Sequence, residues 1–204
     1  MKILNFAFDF DDVLVAFNAT FALYHNERHG TVIGYDDIHN HDLEHVYDCT
    51  KEEIIARIGA FFLSENHVAT PAALGAQQML HNVNKHGRSF VVTARPERFQ
   101  EQTQVLVDLL FPGQIDFVHY TSQFGSEAGE TPKTKAEVCL GLEATLLVDD
   151  MPHHTDGAAL EGLKTVLLHT PWNCSHEIHP TTTRVRGLKE VESEIIKIAS
   201  LVSK

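Results

Sequence analysis

Phe6-Ala7-Phe8-Asp9-Phe10-Asp11-Asp12-Val13-Leu14 sets an apolar run directly before three carboxylates. Ile3, Leu4, Phe6 and Phe8 read as a short buried strand of the kind found at the centre of a parallel sheet, covered on both faces. Acids crowded at the carboxyl end of such a strand repel one another unless a cation neutralises them. In open α/β sheets, ligands bind just beyond these strand ends. A strand followed by a solvated acidic turn is the plain alternative, and the rest of the chain decides between the two.

Beyond this stretch, Val15 to about Arg28 carries Phe17, Phe21 and Tyr24 at helical spacing, with Gly30 as a stop. A His- and Asp-rich passage from Tyr35 to Asp48 predicts a short helix and loops. Thr50 and Glu53 form a capping box ahead of a helix whose buried stripe is Ile54, Ile55, Ile58, Phe61 and Phe62. Thr70-Pro71 predicts another helix start, with Ala72, Ala76, Met79, Leu80 and Val83 facing inward.

The pattern then alternates. Ser89–Thr93, Ile115–His119, Thr145–Val148 and Thr165–Leu168 read as buried strands, five in all with the first. Between them come helices after Pro96 (Phe99, Leu106, Leu109 and Leu110 inward), from Lys135 to Leu142, and near Ala158–Leu160. Val191, Ile195, Ile198, Ala199 and Val202 mark a closing helix, and Gly125 to Pro132 reads as a mobile surface loop. Strand–helix alternation predicts an α/β fold with a doubly wound, Rossmann-like parallel sheet.

The 204 residues suffice for one substantial core, or a core with a smaller insert. Acids outnumber bases 28 to 16, and the resulting net charge of −12 disfavours a nucleic-acid polymer as partner. Cys49, Cys139 and Cys174 are widely spaced, which fits a reducing compartment and no disulfide framework. No apolar stretch approaches the roughly 20 residues of a membrane span. The first strand reaches Asp9 too early for a signal sequence, so a cytoplasmic, soluble protein is expected. Histidines cluster at His39, His41 and His45, at His153 and His154, and at His176 and His179. His41 and His45 would share a helix face, but no partner pattern completes a zinc site, and exposed or capping roles are expected.

Three strands end in Asp9/Asp11, in Thr93 and in Asp149/Asp150. As neighbours in one parallel sheet, these ends converge on a crevice suited to an oxygen-ligated hard cation and a phosphoryl group. Asp9-Phe10-Asp11-Asp12-Val13-Leu14, Val92-Thr93-Ala94-Arg95, Lys135 and Leu147-Val148-Asp149-Asp150, in this order, resemble the four motifs of haloacid dehalogenase-like (HAD) hydrolases. Lys135-Ala136-Glu137-Val138-Cys139 and Thr170-Pro171-Trp172-Asn173 are similar to the 5′(3′)-deoxyribonucleotidase-like branch.

That resemblance implies a HAD core of residues 1–16 and 75–204 with a helical cap, 17–74, inserted after the first motif. It also implies a Mg²⁺-dependent phosphomonoester hydrolase acting on a nucleoside monophosphate. Asp9 would be the nucleophile and Asp11 the acid/base; their i, i+2 spacing lets both reach one phosphoryl group. Asp9, the backbone carbonyl of Asp11 and Asp149 would hold Mg²⁺, with Asp150 either supporting it or capping the adjoining segment. Thr93, Ala94 and Lys135 would hold the phosphate, with Lys133 a competitor for the last role. Phe17 and Arg95 are candidates for substrate contact, and Trp172 and Asn173 for the site wall. Asp12 stands where the family often has glycine. A phosphatase for a sugar phosphate or other small metabolite and a non-catalytic binding protein of the same fold are the alternatives, and the oligomeric state is open.

Overall fold

A computed structural model of the chain describes residues 3–40, 42–124 and 131–202. The acidic stretch follows β1 (Leu4–Phe8), and the chain then runs through α1 (Phe17–His29), α2 (Leu43–Val46), α3 (Lys51–Phe62), α4 (Glu65–Val68) and α5 (Ala76–Val83) before β2 (Gly87–Thr93). Next come α6 (Gln100–Leu110), β3 (Phe117–Tyr120), α7 (Lys135–Gly141), β4 (Leu146–Asp149), α8 (Pro152–Leu160), β5 (Lys164–Leu168), β6 (Thr182–Val185) and α9 (Leu188–Val202). The six strands form one sheet in the order β3-β2-β1-β4-β5-β6, with every pairing parallel. The doubly wound expectation holds.

β1 is central because it has something to bury on each face. Phe6 and Phe8 point into the larger core with Leu80, Leu106, Val191 and Ile195, while Ala7 meets Val92, Leu147, Cys139 and Ala158 on the other side. Chain direction across the sheet reverses between β1 and β4, since β2 and β3 lie to one side and β4 to β6 to the other. A crevice therefore opens at the carboxyl ends of β1 and β4, where Asp9 and Asp149 lie.

The segment between β1 and β2 has an aromatic cluster of its own. Phe17, Phe21, Tyr24, Tyr47, Phe61 and Phe62 pack there with Ile54 and Ile58, joined by Phe99 from beyond β2. The Thr50–Glu53 capping box forms as expected, and Gly30, at φ 66°, closes α1 in the left-handed conformation. By contrast, α5 packs on α9 and belongs to the sheet core.

Several expectations need correction. No helix starts at Thr70-Pro71: the Pro71 carbonyl accepts from Ala16 N–H, Ala73 N–H donates to Leu14, and Ala72 bridges Val15, so the chain runs beside the acidic turn before a turn at Leu74-Gly75 leads into α5. The helix after Pro96 starts with a 3₁₀ turn, Glu97–Phe99, and α6 turns Thr103, Leu106 and Val107 inward, which leaves Leu109 exposed. The third strand begins at Phe117 rather than Ile115, and α8 starts as early as Pro152. β6 escaped notice because Thr182-Thr183-Arg184-Val185 is polar, as an edge strand with one paired neighbour can be. The loop assigned to Gly125–Pro132 falls from Gly125 to Glu130 outside the described residues, as do His41 and the side chain of Val202. Among the described residues, no helix is long and apolar enough to cross a membrane.

The β1–β2 register sets Gly87 opposite Leu4, and a Cβ at Gly87 would clash with the Leu4 carbonyl and lie 2.8 Å from the Phe6 ring. Gly87→Ala is expected to lower unfolding stability by about 1–3 kcal/mol, read from urea denaturation, because backbone cannot move aside as a side chain can.

Candidate active site

Asp9 follows β1 directly and is pinned there: its N–H donates to the Val148 carbonyl at 2.8 Å, and its Oδ1 accepts from Phe10 N–H at 2.7 Å. Asp149 ends β4, and its Oδ1 accepts from Met151 N–H at 2.9 Å. Lys135, the first residue of α7, sends its ammonium between the two strands to Asp9 Oδ1 and Asp149 Oδ2, at 2.7 Å each. It is almost wholly buried, whereas Lys133 is exposed, so the fold brings Lys135 and not Lys133 to the crevice. Thr134 caps α7 in a box with Glu137, which fixes the helix start from which Lys135 projects.

Asp150 is buried beside them, and Asp9, Asp149 and Asp150 each offer a carboxylate oxygen, all within 4.8 Å of one another. Trp172 Nε1 donates to Asp150 Oδ2 at 2.8 Å, and Asn173 Nδ2 donates to the Asp150 carbonyl at 2.7 Å and the Leu168 carbonyl at 2.8 Å. Arg184 of β6 in turn donates to Asn173 Oδ1 at 2.8 Å. Trp172 and Asn173 thus hold Asp150 in place, and Asp150 does not serve as a cap for α8, which has no side-chain cap.

The electrostatics of this group are unbalanced. Burial raises the pKa of Asp9 to about 7, with Asp149 and Asp11 adding to the rise and Lys135 opposing it. Asp150 is pushed up by burial and then by Asp9 and Asp149. Burial works against the Lys135 charge, but Asp149 and Asp9 outweigh it and hold the ammonium charged. Three carboxylates against one ammonium leave two negative charges when all are ionised. An all-oxygen, doubly negative donor set is the one a hard divalent cation such as Mg²⁺ fits.

Asp12 has φ 55°, a left-handed conformation that Asp tolerates better than most residues. Its carboxylate accepts from Asn18 N–H at 3.1 and 3.2 Å, so it serves the N-terminus of α1 that Ala16 leaves without a side-chain cap.

The Asp11 side chain turns elsewhere. Arg95 Nε donates to Asp11 Oδ2 at 2.8 Å and Nη2 to Oδ1 at 2.7 Å, a bidentate pair that is half-sheltered at Asp11 and buried at Arg95. Arg95 therefore faces a carboxylate of the turn after β1 rather than open space. Thr93 ends β2 and its Oγ1 accepts from Arg95 N–H at 3.2 Å. Asp9, Asp11, Thr93, Ala94, Arg95 and Asp150 line one cavity of about 270 Å³, and Phe17 contributes to its wall as well as to the aromatic cluster. The far wall is apolar, built by Ile38, Leu43, Ile58, Phe62 and Phe124, with the amides of Asn18, Asn40 and Gln123 among them.

Sequence reasoning missed two groups of residues here. His153 and His154, on the first turn of α8, line the cavity with their rings 3.9 Å apart, and His154 is buried rather than exposed. His67 is fully buried behind Arg95, 3.0 Å from its Nη1. Adjacency to Asp150 could have flagged the first pair; nothing local marks His67. His176 pairs with Asp156 at 2.9 Å away from the cavity.

No family model matches the chain, and no curated protein does. Among solved structures, a haloacid dehalogenase-like family hydrolase from Streptococcus pneumoniae is similar to it with a TM-score of 0.65 at 13% identity, covering 94% of this chain and 98% of that one. A HAD-type hydrolase from Bacillus subtilis, bound to magnesium, gives 0.60 at 17% identity over 96% of this chain and all (100%) of that one. L-2-haloacid dehalogenase from Xanthobacter autotrophicus gives 0.62 at 14% identity, with coverage of 96% and 99%. The chain has the Rossmann-like fold of the HAD hydrolases.

The geometry of the site leads to two expected outcomes. Asp12→Ala removes the acceptor at α1 and puts a Cβ-bearing residue without a polar side chain at positive φ; it should cost about 1–2 kcal/mol in thermal or urea unfolding. Burial, and then the Arg95 charge, lower the His67 pKa to about 4. The unfolded chain therefore binds more protons than the folded one between about pH 6.5 and 4. Stability should be unaffected by His67 above that window, fall as the pH drops through it by up to about 3 kcal/mol, and level off below. Comparing urea midpoints of wild type and His67→Gln across this range reads the difference.

Proposed function

We propose that this protein is a phosphomonoester hydrolase that works through an aspartyl-phosphate and acts on a (deoxy)nucleoside monophosphate. The observation that carries the reading is that Asp9, Asp11 and Thr93 line one cavity at the switch between β1 and β4, with Lys135 joining Asp9 to the buried Asp149 behind it. Asp9 Oδ attacks phosphorus as the ester P–O bond breaks, and Asp11 gives its proton to the leaving alcohol oxygen. Water then attacks the phosphorus, Asp11 takes its proton, and Asp9 is freed with release of inorganic phosphate. Thr93, with the Ala94 N–H, holds non-bridging oxygens, while the Lys135 ammonium keeps Asp9 and Asp149 oriented and offsets phosphate charge.

Asp9, the Asp11 carbonyl and Asp149 would hold Mg²⁺, with Asp150 positioned by Trp172 beside them. When bound, the ion supplies charge neutralisation between the carboxylates and the phosphoryl oxygens. Asp11, two residues from the nucleophile and lining the same cavity, supports phosphoryl transfer over dehalogenation: an alkoxide needs an acid as it departs, whereas a halide leaves without a proton.

Residues 17–74 act as the cap over this crevice. Phe17 and the apolar wall offer a base a face to lie on, and Asn18, Asn40 and Gln123 offer amides for its edge. The nucleotide reading rests on that wall together with the nucleotidase-like passages at Lys135 and Thr170. Phosphate release should be measured across nucleoside monophosphates and sugar phosphates, with and without Mg²⁺, for wild type and Asp9→Asn. Nucleotides should be preferred, EDTA should abolish turnover, and Asp9→Asn should lower kcat by about a thousandfold or more. Activity that survives Asp9→Asn would sink the mechanism; preference for sugar phosphates would sink the substrate.

A further inference from the structure

Arg95 holds Asp11 with two of its five N–H groups, and its remaining nitrogen is directed just as firmly. Nη1 donates to Thr103 Oγ1 of α6 and to His67 Nε2 of α4, both at 3.0 Å. The guanidinium lies over the rings of Phe62, at 4.4 Å, and Phe10, at 4.9 Å. Thr103 is fixed in turn by its bond to the Phe99 carbonyl at 2.9 Å. The group that orients Asp11 is therefore clamped between α6, beside the sheet, and α4, in the segment inserted after β1.

His67 is an unusual residue to find at that end of the clamp. An arginine side chain has donors and no acceptor, so the His67 Nε2 must accept and the ring proton must sit on Nδ1. That Nδ1 is buried and has no hydrogen-bond partner. The ring packs edge-on to Phe61 at 5.5 Å and to Phe62 at 5.4 Å. An aliphatic side chain would fill the same space with no orphaned N–H. What the imidazole adds is one acceptor, aimed at Arg95.

We propose that His67 is a positioning residue for the acid/base: by accepting from Arg95 it fixes the guanidinium that orients the Asp11 carboxylate, so that the inserted helical segment completes the proton-transfer machinery. This role rests on the phosphohydrolase reading. His67 touches neither the substrate nor Asp9, and it acts through Arg95 alone. Loss of its acceptor lets Arg95 rotate and Asp11 drift from the leaving oxygen, while the nucleophile, held by Lys135 and Phe10 N–H, stays in place.

Leaving-group dependence separates this role from a merely structural one. An alkyl phosphate needs a proton as its alkoxide departs; p-nitrophenyl phosphate, whose phenolate leaves unaided, needs it far less. The base step on the aspartyl-phosphate is common to both substrates, so the comparison is made in kcat/KM, which reads only up to departure of the leaving group. His67→Leu should lower kcat/KM for an alkyl phosphate such as a nucleoside 5′-monophosphate by about 10- to 100-fold and leave that for p-nitrophenyl phosphate within about threefold of wild type. His67→Gln, whose Oε1 can accept from Arg95, should restore most of the alkyl phosphate rate. Thr103→Val, which removes the other Nη1 acceptor, gives the same selective loss and is the variant to read if His67→Leu does not fold by circular dichroism. Equal loss of kcat/KM on both substrates, or no loss on either, overturns the positioning role while leaving the reaction itself intact. Absence of turnover on either substrate by wild type overturns the reaction and the positioning role together.

Discussion

The Lys135 ammonium, 2.7 Å from both Asp9 and Asp149, is the contact on which this site depends. It crosses from α7 to the ends of two adjacent central strands, and it is what allows their carboxylates to be buried side by side. A buried charge without a partner is among the most costly features a fold can carry. Here burial of the ammonium is tolerable because the carboxylates surround it, and burial of the carboxylates is partly tolerable because of the ammonium. The balance is incomplete, and the residual negative charge is a place for a cation.

Around that centre the carboxylates differ in their neighbours: Asp9 shares Lys135 with Asp149 and also accepts from the Phe10 N–H. Asp149 has Lys135 and the Met151 N–H; Asp150 has Trp172; Asp12 has the N-terminus of α1; and Asp11 has Arg95. Five acids in two short stretches are thereby separated into distinct environments, which is how like residues within one site come to differ in basicity and orientation. The apolar wall beyond them comes mainly from the segment between β1 and β2, which joins a shell of aromatic rings to the polar floor made by the strand ends.

Legibility in the sequence tracked the range of the forces involved. Strand–helix alternation, the Thr50 capping box and the Gly30 stop are local signals, and they hold because capping bonds and side-chain periodicity act within a few residues. Thr70-Pro71 misled because the Pro71 carbonyl that a helix would have used accepts from Ala16, and the Ala73 N–H is tied to Leu14, both in a segment far away in sequence. β6 was hidden because a polar edge strand has no hydrophobic period to show.

By itself, the sequence determined that three strands would end in Asp9/Asp11, Thr93 and Asp149/Asp150, and that strand–helix alternation would set them in a parallel sheet. The bare facts of composition could not say which lysine would reach them, what Asp12 would do, or where Arg95 would point. Those were decided by tertiary structure: Lys135 lies opposite Asp9 because β1 and β4 are neighbours, Asp12 turns to α1 because its φ is positive, and Arg95 is clamped by residues 28 positions before it and eight after. The reason is physical. Periodicity and caps are properties of neighbouring residues, whereas the pairing of buried charges is settled only when distant segments have excluded water from around them.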